Sequence, residues 1–399
     1  MTISAIRPST FPWFRYEDYT FSLGLTDGEN AWLSGHSASE FDPDTRRMVV
    51  HGGMAEQART AYAKIAVILE AAGLEWSDVT KVTENVTVAG IEHYAEAEGV
   101  RREVFGDHEP VLATVVVDAL LRKTALIEVE IHASRGGGTQ LHAGGSGWDR
   151  RTVREGHKGE VLLPTMLPVD EHGVVVAPGD FQAQYAYCLD KADGLLRQVG
   201  LSLDHAVTTY DFSTPATRDS YRKTHKIRME RLGGAGIYPG AGGILVSRLH
   251  APEIMVAMDV TANRLPLTQV NPGWSRYDTL SYAPGVRAGD TLYMSGFAAL
   301  DMETQKALHP GDVVAQAEMT YAAILETIAA AGGGPEHLTS TIEFVCPEGL
   351  ADYRGVAGVR DRVLRAPFPA STGAICAGLL RPEFLLEVFP QAILSERAS

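Results

Sequence analysis

One stretch of this sequence is written twice. Residues 57–73, QARTAYAKIAVILEAAG, and residues 316–332, QAEMTYAAILETIAAAG, align without a gap at an offset of 259. The same offset carries Glu84 onto Glu343, Tyr94 onto Tyr353, Pro110 onto Pro369, and the segment LLRKTALIEV (120–129) onto LLRPEFLLEV (379–388). A register held from Gln57 to Val129 is the signature of a repeated unit, and it governs the fold before any single motif does. About half that offset places a further copy in the middle. A more diverged one is present: Pro239 and Pro252 lie 130 residues before Pro369 and Pro382, and Gly200 and Tyr221 lie 132 before Gly332 and Tyr353.

The hydrophobic period changes in the same order within each copy. Short apolar runs such as AWLSG and TLYMSG, bounded by Gly and Asp, predict a hairpin. Residues 53–72 place Ala, Ile and Leu at helical spacing and stop at Gly73, the residue type that best closes a helix. KVTENVTVAG alternates as a strand, IEHYAEAEGVRREVF predicts a second helix, and LATVVVDAL and ALIEVEIHA predict two closing strands. The unit is therefore ββαβαββ, an α+β layer of helices on one face of a sheet. Gly-rich 134–147 and Pro-containing 262–273 read as linkers. The expected domains are 1–134, 148–262 and 274–399. A W-x-R triplet introduces every copy: Trp13-Phe14-Arg15, Trp148-Asp149-Arg150 and Trp274-Ser275-Arg276.

Composition then narrows the function. With 35 basic and 50 acidic side chains the formal charge is −15 and no basic tract offsets it, which opposes a nucleic-acid partner. No apolar run approaches the roughly 18 residues of a membrane span. The N-terminal residues lack the pattern of a secretion signal, so the cytoplasm is the default expectation. Three distant cysteines without CxxC spacing indicate neither disulfides nor zinc, and the 13 histidines show no HxH or HExxH pattern. No metal or cofactor is expected, and Cys376 reads as a small packed hydrophobe.

The Ser-Gly after the first hairpin, the A-x-x-Q-A helix ending in AAGL, and the strand pair P-x-x-x-T-V…L-I-E-V-E resemble the YjgF/RidA family of enamine and imine deaminases. The first and third copies carry the resemblance over nearly their full length, the middle one in its order of elements and closing strands. The resemblance implies a chorismate-mutase-like fold that assembles as a trimer with ligand clefts between subunits. Three fused copies would then form an intramolecular pseudo-trimer, alone or in a low-order homo-oligomer, acting on a small molecule.

The departures from the family pattern are specific. The family's carboxylate-binding Arg falls on Leu112, Ala241 and Ser371, so all three clefts lack it, a loss of about 2–3 kcal/mol of charge-assisted binding. Its water-positioning Glu is kept as Glu128 and Glu387 and replaced by Ala257. Glu387, in the apolar strand FLLEVF, and Glu128 are the candidate acid/base groups, because burial raises a carboxyl pKa into a useful range. His36, beside Ser34-Gly35 at the cleft border, is a third candidate. Ser371, Thr372 and Gly373 offer hydroxyls and N–H groups where the Arg loop would sit. Gly242 and Gly243 close a segment, 233–243, with six glycines, which allows backbone to approach a ligand. Arg15, Arg150 or Arg276 could replace the lost guanidinium, with Trp148 and Trp274 as aromatic walls. The helix YRKTHKIRMERL (221–232) gathers basic groups and could form a cationic wall. The expected activity is cofactor-independent deamination or hydrolysis of a conjugated, carboxylated enamine or imine. The alternatives are a chorismatase-like enzyme on a cyclic carboxylate and a non-catalytic metabolite binder.

Overall fold

The computed structural model describes residues 2–395. The first copy runs β1 (Gly24–Thr26), β2 (Asn30–Leu33), α1 (Met54–Ala71), β3 (Val79–Thr87), α2 (Tyr94–Phe105), β4 (Val111–Val117) and β5 (Ile127–Ser134). The second runs β6 (Val153–Glu155), β7 (Glu160–Leu162), α3 (Phe181–Gln198), β8 (Ala206–Ser213), α4 (Thr224–Arg231), β9 (Gly240–Leu245) and β10 (Val256–Asn263). The third runs β11 (Gly285–Ala288), β12 (Thr291–Met294), α5 (Val313–Ala330), β13 (Leu338–Val345), α6 (Val356–Val363), β14 (Ala370–Ile375) and β15 (Leu386–Ile393). The strand orders are β1-β2-β5-β3-β4, β6-β7-β10-β8-β9 and β11-β12-β15-β13-β14. The last two strands of each are parallel, which the crossover helix between them requires. The chain is thus an α+β protein built on one repeated topology, including the middle copy whose sequence has drifted most.

Local chemistry explains why these elements recur. α1, α3 and α5 are each 18 residues long, and the glycine that ends each one, Gly73, Gly200 or Gly332, has φ of 69°, 76° or 87°. That is the left-handed closing conformation. Asp180 and Asp312 accept backbone N–H groups at the starts of α3 and α5. The buried glutamine of the A-x-x-Q-A motif is a clamp. In the third copy Gln316 donates to the carbonyls of Leu308, His309 and Glu383 and accepts from the Leu385 N–H at 2.7 Å. Gln57 and Gln184 bond equivalently to Leu126 N–H and Met255 N–H. The clamp sets the entry to the last strand, and so the position of Glu387 two residues later.

The three sheets turn their helix-free faces toward one another. Tyr210 stacks on Phe389 at 4.3 Å, and Phe344 packs against Phe389 and Phe212. Short strands pass between copies: Ala119–Leu120 pairs with β14 and Gly378–Leu379 pairs with β9. The Asp118 carboxylate accepts the Ser247 N–H, joining the first copy to the second. The two expected linkers are more ordered than their composition suggests. Thr139–His142 pairs with β6 and Leu267–Val270 with β11, because each covers an otherwise open sheet edge. Among the described residues no helix is long and apolar enough to cross a membrane, and no cluster of His, Cys, Asp and Glu has metal-ligand geometry.

Candidate functional site

Each copy buries a carboxylate in its third strand beneath two tyrosines and an arginine. In the first copy Glu84 accepts from Tyr62, Tyr94 and Arg101, the last at 2.5 Å. In the third, Glu343 accepts from Tyr321, Tyr353 and Arg360, the last at 2.7 Å. Burial pushes the Glu343 carboxyl upward, but Arg360 and the two hydroxyls outweigh it and leave the pKa lowered. The middle copy has Asp211 at this position. It accepts from Tyr221 at 2.8 and 2.9 Å and from Tyr185 at 3.2 Å. Arg228 donates instead to Tyr185, to Thr209 at 2.7 Å and to the Ser281 carbonyl. Burial raises Asp211 to about 6.

Between the second and third copies lies a cavity of about 340 Å³. It is lined by β9 and β15, by the helical segment from Tyr221 to Arg228, and by a strap, residues 276–282. Arg222, Arg228, Arg276 and Arg381 line it, together with His225, Tyr277, Tyr282, Phe297 and Phe384. Four guanidiniums around one cavity in a chain of formal charge −15 mark a strongly localised positive field. The Arg276 Nε is buried without a hydrogen-bond partner among the described residues, while its Nη2 donates to Tyr282 at 3.2 Å. Arg381 donates to the Gln305 carbonyl at 2.6 Å.

Glu387 sits at the base of this cavity, 8% exposed, with its carboxylate accepting the Gly243 N–H. Burial is the main cause that raises its pKa to about 8, and the neighbouring Asp211 carboxylate adds to it. It is therefore mostly protonated at neutral pH. Glycine is required around it. A Cβ on Gly296 would stand 2.4 Å from the Glu387 Oε1, one on Gly243 2.4 Å from the Tyr221 hydroxyl, and one on Gly242 2.5 Å from the Phe389 ring.

The other two clefts carry different side chains. Between the first and third copies Glu128 faces Gly35, Thr372 and Gly373. Burial and Glu130, two residues along the same sheet face, raise it to about 8, against the Gly373 N–H and the Lys64 charge. The Thr372 hydroxyl accepts the Gly35 N–H at 3.0 Å, Ser371 N–H donates to Ser34, and Leu121 packs onto Gly373. Lys64 is buried and donates to the Ser37 and Ser39 carbonyls. Desolvation lowers its pKa to about 7. Between the first and second copies, Trp148 stacks on Tyr94 at 5.6 Å and Arg150 binds Thr114 at 2.8 Å and Glu98 at 3.3 Å. There the W-x-R pair is itself the filling.

The structure thus separates residues the sequence treats together. Glu387, Gly242, Gly243 and Arg276 share one cavity; Glu128, Ser371, Thr372 and Gly373 share a second cleft; Trp148 and Arg150 occupy a third. Trp274 packs on Tyr277 and Phe297 behind the first cavity and does not line it. Arg15 is a solvent-exposed partner of Asp18. His36 is buried, bonded to the Leu23 carbonyl at 3.1 Å, and pushed by desolvation and Lys64 down to about 3. Its ring is held in the neutral form, and it does not line the cavity that holds Glu387. Cys376 is buried and in no disulfide; its thiol donates to the Val345 carbonyl at 3.6 Å and lies 3.9 Å from the Cys346 sulfur. The sequence places Arg228 within the basic helix 221–232 without singling it out, and gives no sign of Arg381 or Tyr282. For Arg228 a signal existed: Tyr94/Arg101, Tyr221/Arg228 and Tyr353/Arg360 share a spacing of seven, two helical turns.

The profile of the family described as endoribonuclease L-PSP matches residues 18–135 and 277–394. This covers more than half of the chain, and the protein belongs to that family, which includes the YjgF/RidA proteins. A RutC family protein of Pyrococcus horikoshii is 38% identical over 110 residues, 28% of this chain and 82% of that protein. The 2-iminobutanoate/2-iminopropanoate deaminase of Bos taurus is 35% identical over 116 residues, 29% of this chain and 80% of that enzyme. Among solved structures, a chorismatase superposes with a TM-score of 0.55 at 14% identity, covering 80% of this chain and 93% of its own. That likeness shows a shared fold.

Proposed function

We propose that the cavity between the second and third copies is the working site of a cofactor-independent hydrolase for a small conjugated carboxylate. The observation that carries this reading is the union of four guanidiniums with a protonated, buried Glu387 in one cavity. The carboxylate lies among Arg222, Arg228, Arg276 and Arg381, and Arg276 supplies from the strap the charge that the strand position at Ala241 lacks. Glu387 donates its proton to the electron-rich carbon of an enamine or enol ether, leaving an iminium or oxocarbenium ion. Water then attacks that cation and returns a proton to the Glu387 carboxylate. Collapse of the adduct releases ammonia or an alcohol and leaves a carbonyl, so the acid is regenerated. The guanidiniums stabilise the carboxylate without reorganising during the reaction. RNA does not fit this reading, because the formal charge of −15 repels a phosphate backbone.

Two substrate classes share this chemistry. Small conjugated enamines and imines are favoured by the relatedness to the bovine iminobutanoate deaminase. A cyclic carboxylate bearing an enol ether is favoured by the size of the cavity, its aromatic walls and its several guanidiniums, which suit a ring with more than one carboxylate. In this proposal the three fused copies act as a pseudo-trimer whose other two clefts serve structure.

The test is turnover of a panel of enamino acids and cyclic enol-ether carboxylates by the wild type, Glu387→Gln and Glu128→Gln. Loss of turnover in Glu387→Gln alone is expected. Equal loss in Glu128→Gln, or saturable binding with no turnover of any panel member, would move the site or replace the enzyme by a binder.

A further inference from the structure

The three copies provide an internal comparison at one position. Glu84 and Glu343 each hold their arginine directly, Arg101 at 2.5 Å and Arg360 at 2.7 Å. Both pairs lie in the same strand register, with Glu84 opposite Thr114 and Glu343 opposite Gly373. Asp211 stands at the matching place, opposite Gly243, and is one methylene shorter. Its oxygens are taken by the Tyr185 and Tyr221 hydroxyls, and the Tyr185 hydroxyl stands between it and Arg228. Among the described residues Arg228 therefore has no carboxylate within 4.0 Å. It is 4% exposed, lines the cavity, and its Nη2 donates one of two hydrogens, to the Ser281 carbonyl. A buried guanidinium left without a counter-ion is costly and calls for one.

We propose that the shortening at position 211 is what makes this cleft a binding site: Asp211 is a positioning residue that leaves Arg228 free to take the carboxylate of the ligand. In the sibling copies the longer glutamate neutralises the equivalent arginine, so those clefts present no such charge. The proposal rests on the reading of the cavity as a carboxylate site and names the group that recognises the ligand's buried end.

The test uses the full chain with benzoate as the probe. Asp211→Glu restores the sibling pairing, conserves charge, and should weaken benzoate binding by about 10- to 100-fold, the range of a charge-assisted contact. Its thermal midpoint should stay level or rise, because a buried guanidinium gains its partner. A merely structural role predicts the opposite combination. Arg228→Gln, which leaves residue 211 untouched, is the second variant and should weaken benzoate to a similar degree. Affinity within about two-fold of wild type in either variant overturns the proposal while leaving the cavity reading intact. Failure of the wild type to bind benzoate removes the cavity reading itself, and the ligand role of Arg228 with it.

Discussion

Replacing Glu387 by glutamine keeps the volume of the side chain and removes its titration, so it isolates the consequence of burying an acid. In the folded chain this carboxyl holds its proton up to about pH 8, against an ordinary value of 4.5. Its folded-state pKa is raised, so the folded state binds the proton more tightly than the unfolded one. The group's stabilising contribution is complete below the unfolded value and is lost as pH rises toward the folded one. Across that window each pH unit costs about 1.4 kcal/mol, and the whole window about 5 kcal/mol as an upper bound. Glu387→Gln has no such slope. The stability of wild type relative to the variant should therefore fall steadily between about pH 5 and about pH 8 and level off outside it. Urea titrations followed by tryptophan fluorescence across that range measure the difference, and the contributions of Glu128 and Glu160 cancel because both proteins carry them. Turnover supplies the second reading. The variant should lose at least about 100-fold in kcat, and the wild-type kcat/KM should decline about ten-fold per unit above pH 8 as the acid ionises. A stability difference that does not change with pH would mean that Glu387 is already ionised in the folded state, and the general-acid argument would fail.

Further outcomes follow from the same geometry. Gly243→Ala keeps the N–H that serves Glu387 but drives a methyl into the Tyr221 hydroxyl, which its bonds to Asp211 hold in place. A cost of about 1–3 kcal/mol in thermal unfolding is expected, with a raised KM, and an unchanged midpoint would show that Tyr221 yields. Arg276→Ala should weaken benzoate binding about ten-fold whereas Arg15→Ala leaves it unchanged, measured by calorimetry; equal effects would contradict the burial difference between these arginines. Gln316→Leu abandons the buried Leu385 N–H and three carbonyls at the bend before β15. Denaturant unfolding should show a loss of about 2–4 kcal/mol, and a neutral result would refute the clamp.

Much of the fold is legible because its determinants are local or repeated. The glycines that end α1, α3 and α5 and the aspartates that cap α3 and α5 act within a few residues; the glutamine clamp reaches from Gln316 to Leu385, but the repeat displays it, like the others, more than once. The two segments between copies differ from the linkers their composition implies for a non-local reason. Thr139–His142 and Leu267–Val270 become strands because sheet edges elsewhere in the chain need covering, and composition carries no record of that need.

The candidate site divides in the same way. The sequence alone marks Glu128 and Glu387 as equivalent carboxyls on closing strands, marks the loss of the strand arginine, and points to Gly242 and Gly243. It determines the unit, its number and its order of elements, since these follow from periodicity and from self-similarity. Only the tertiary structure decided which carboxyl faces a cavity. Glu387 meets the glycine-rich β9 of another copy, whereas Glu128 meets Gly35, Thr372 and Gly373. It also decided the fates of Arg15, Arg150 and Arg276, one in solvent, one paired with Glu98 and one aimed inward. Each of these outcomes depends on a neighbour more than a hundred residues away, or on the packing around a side chain, and a local sequence pattern specifies neither.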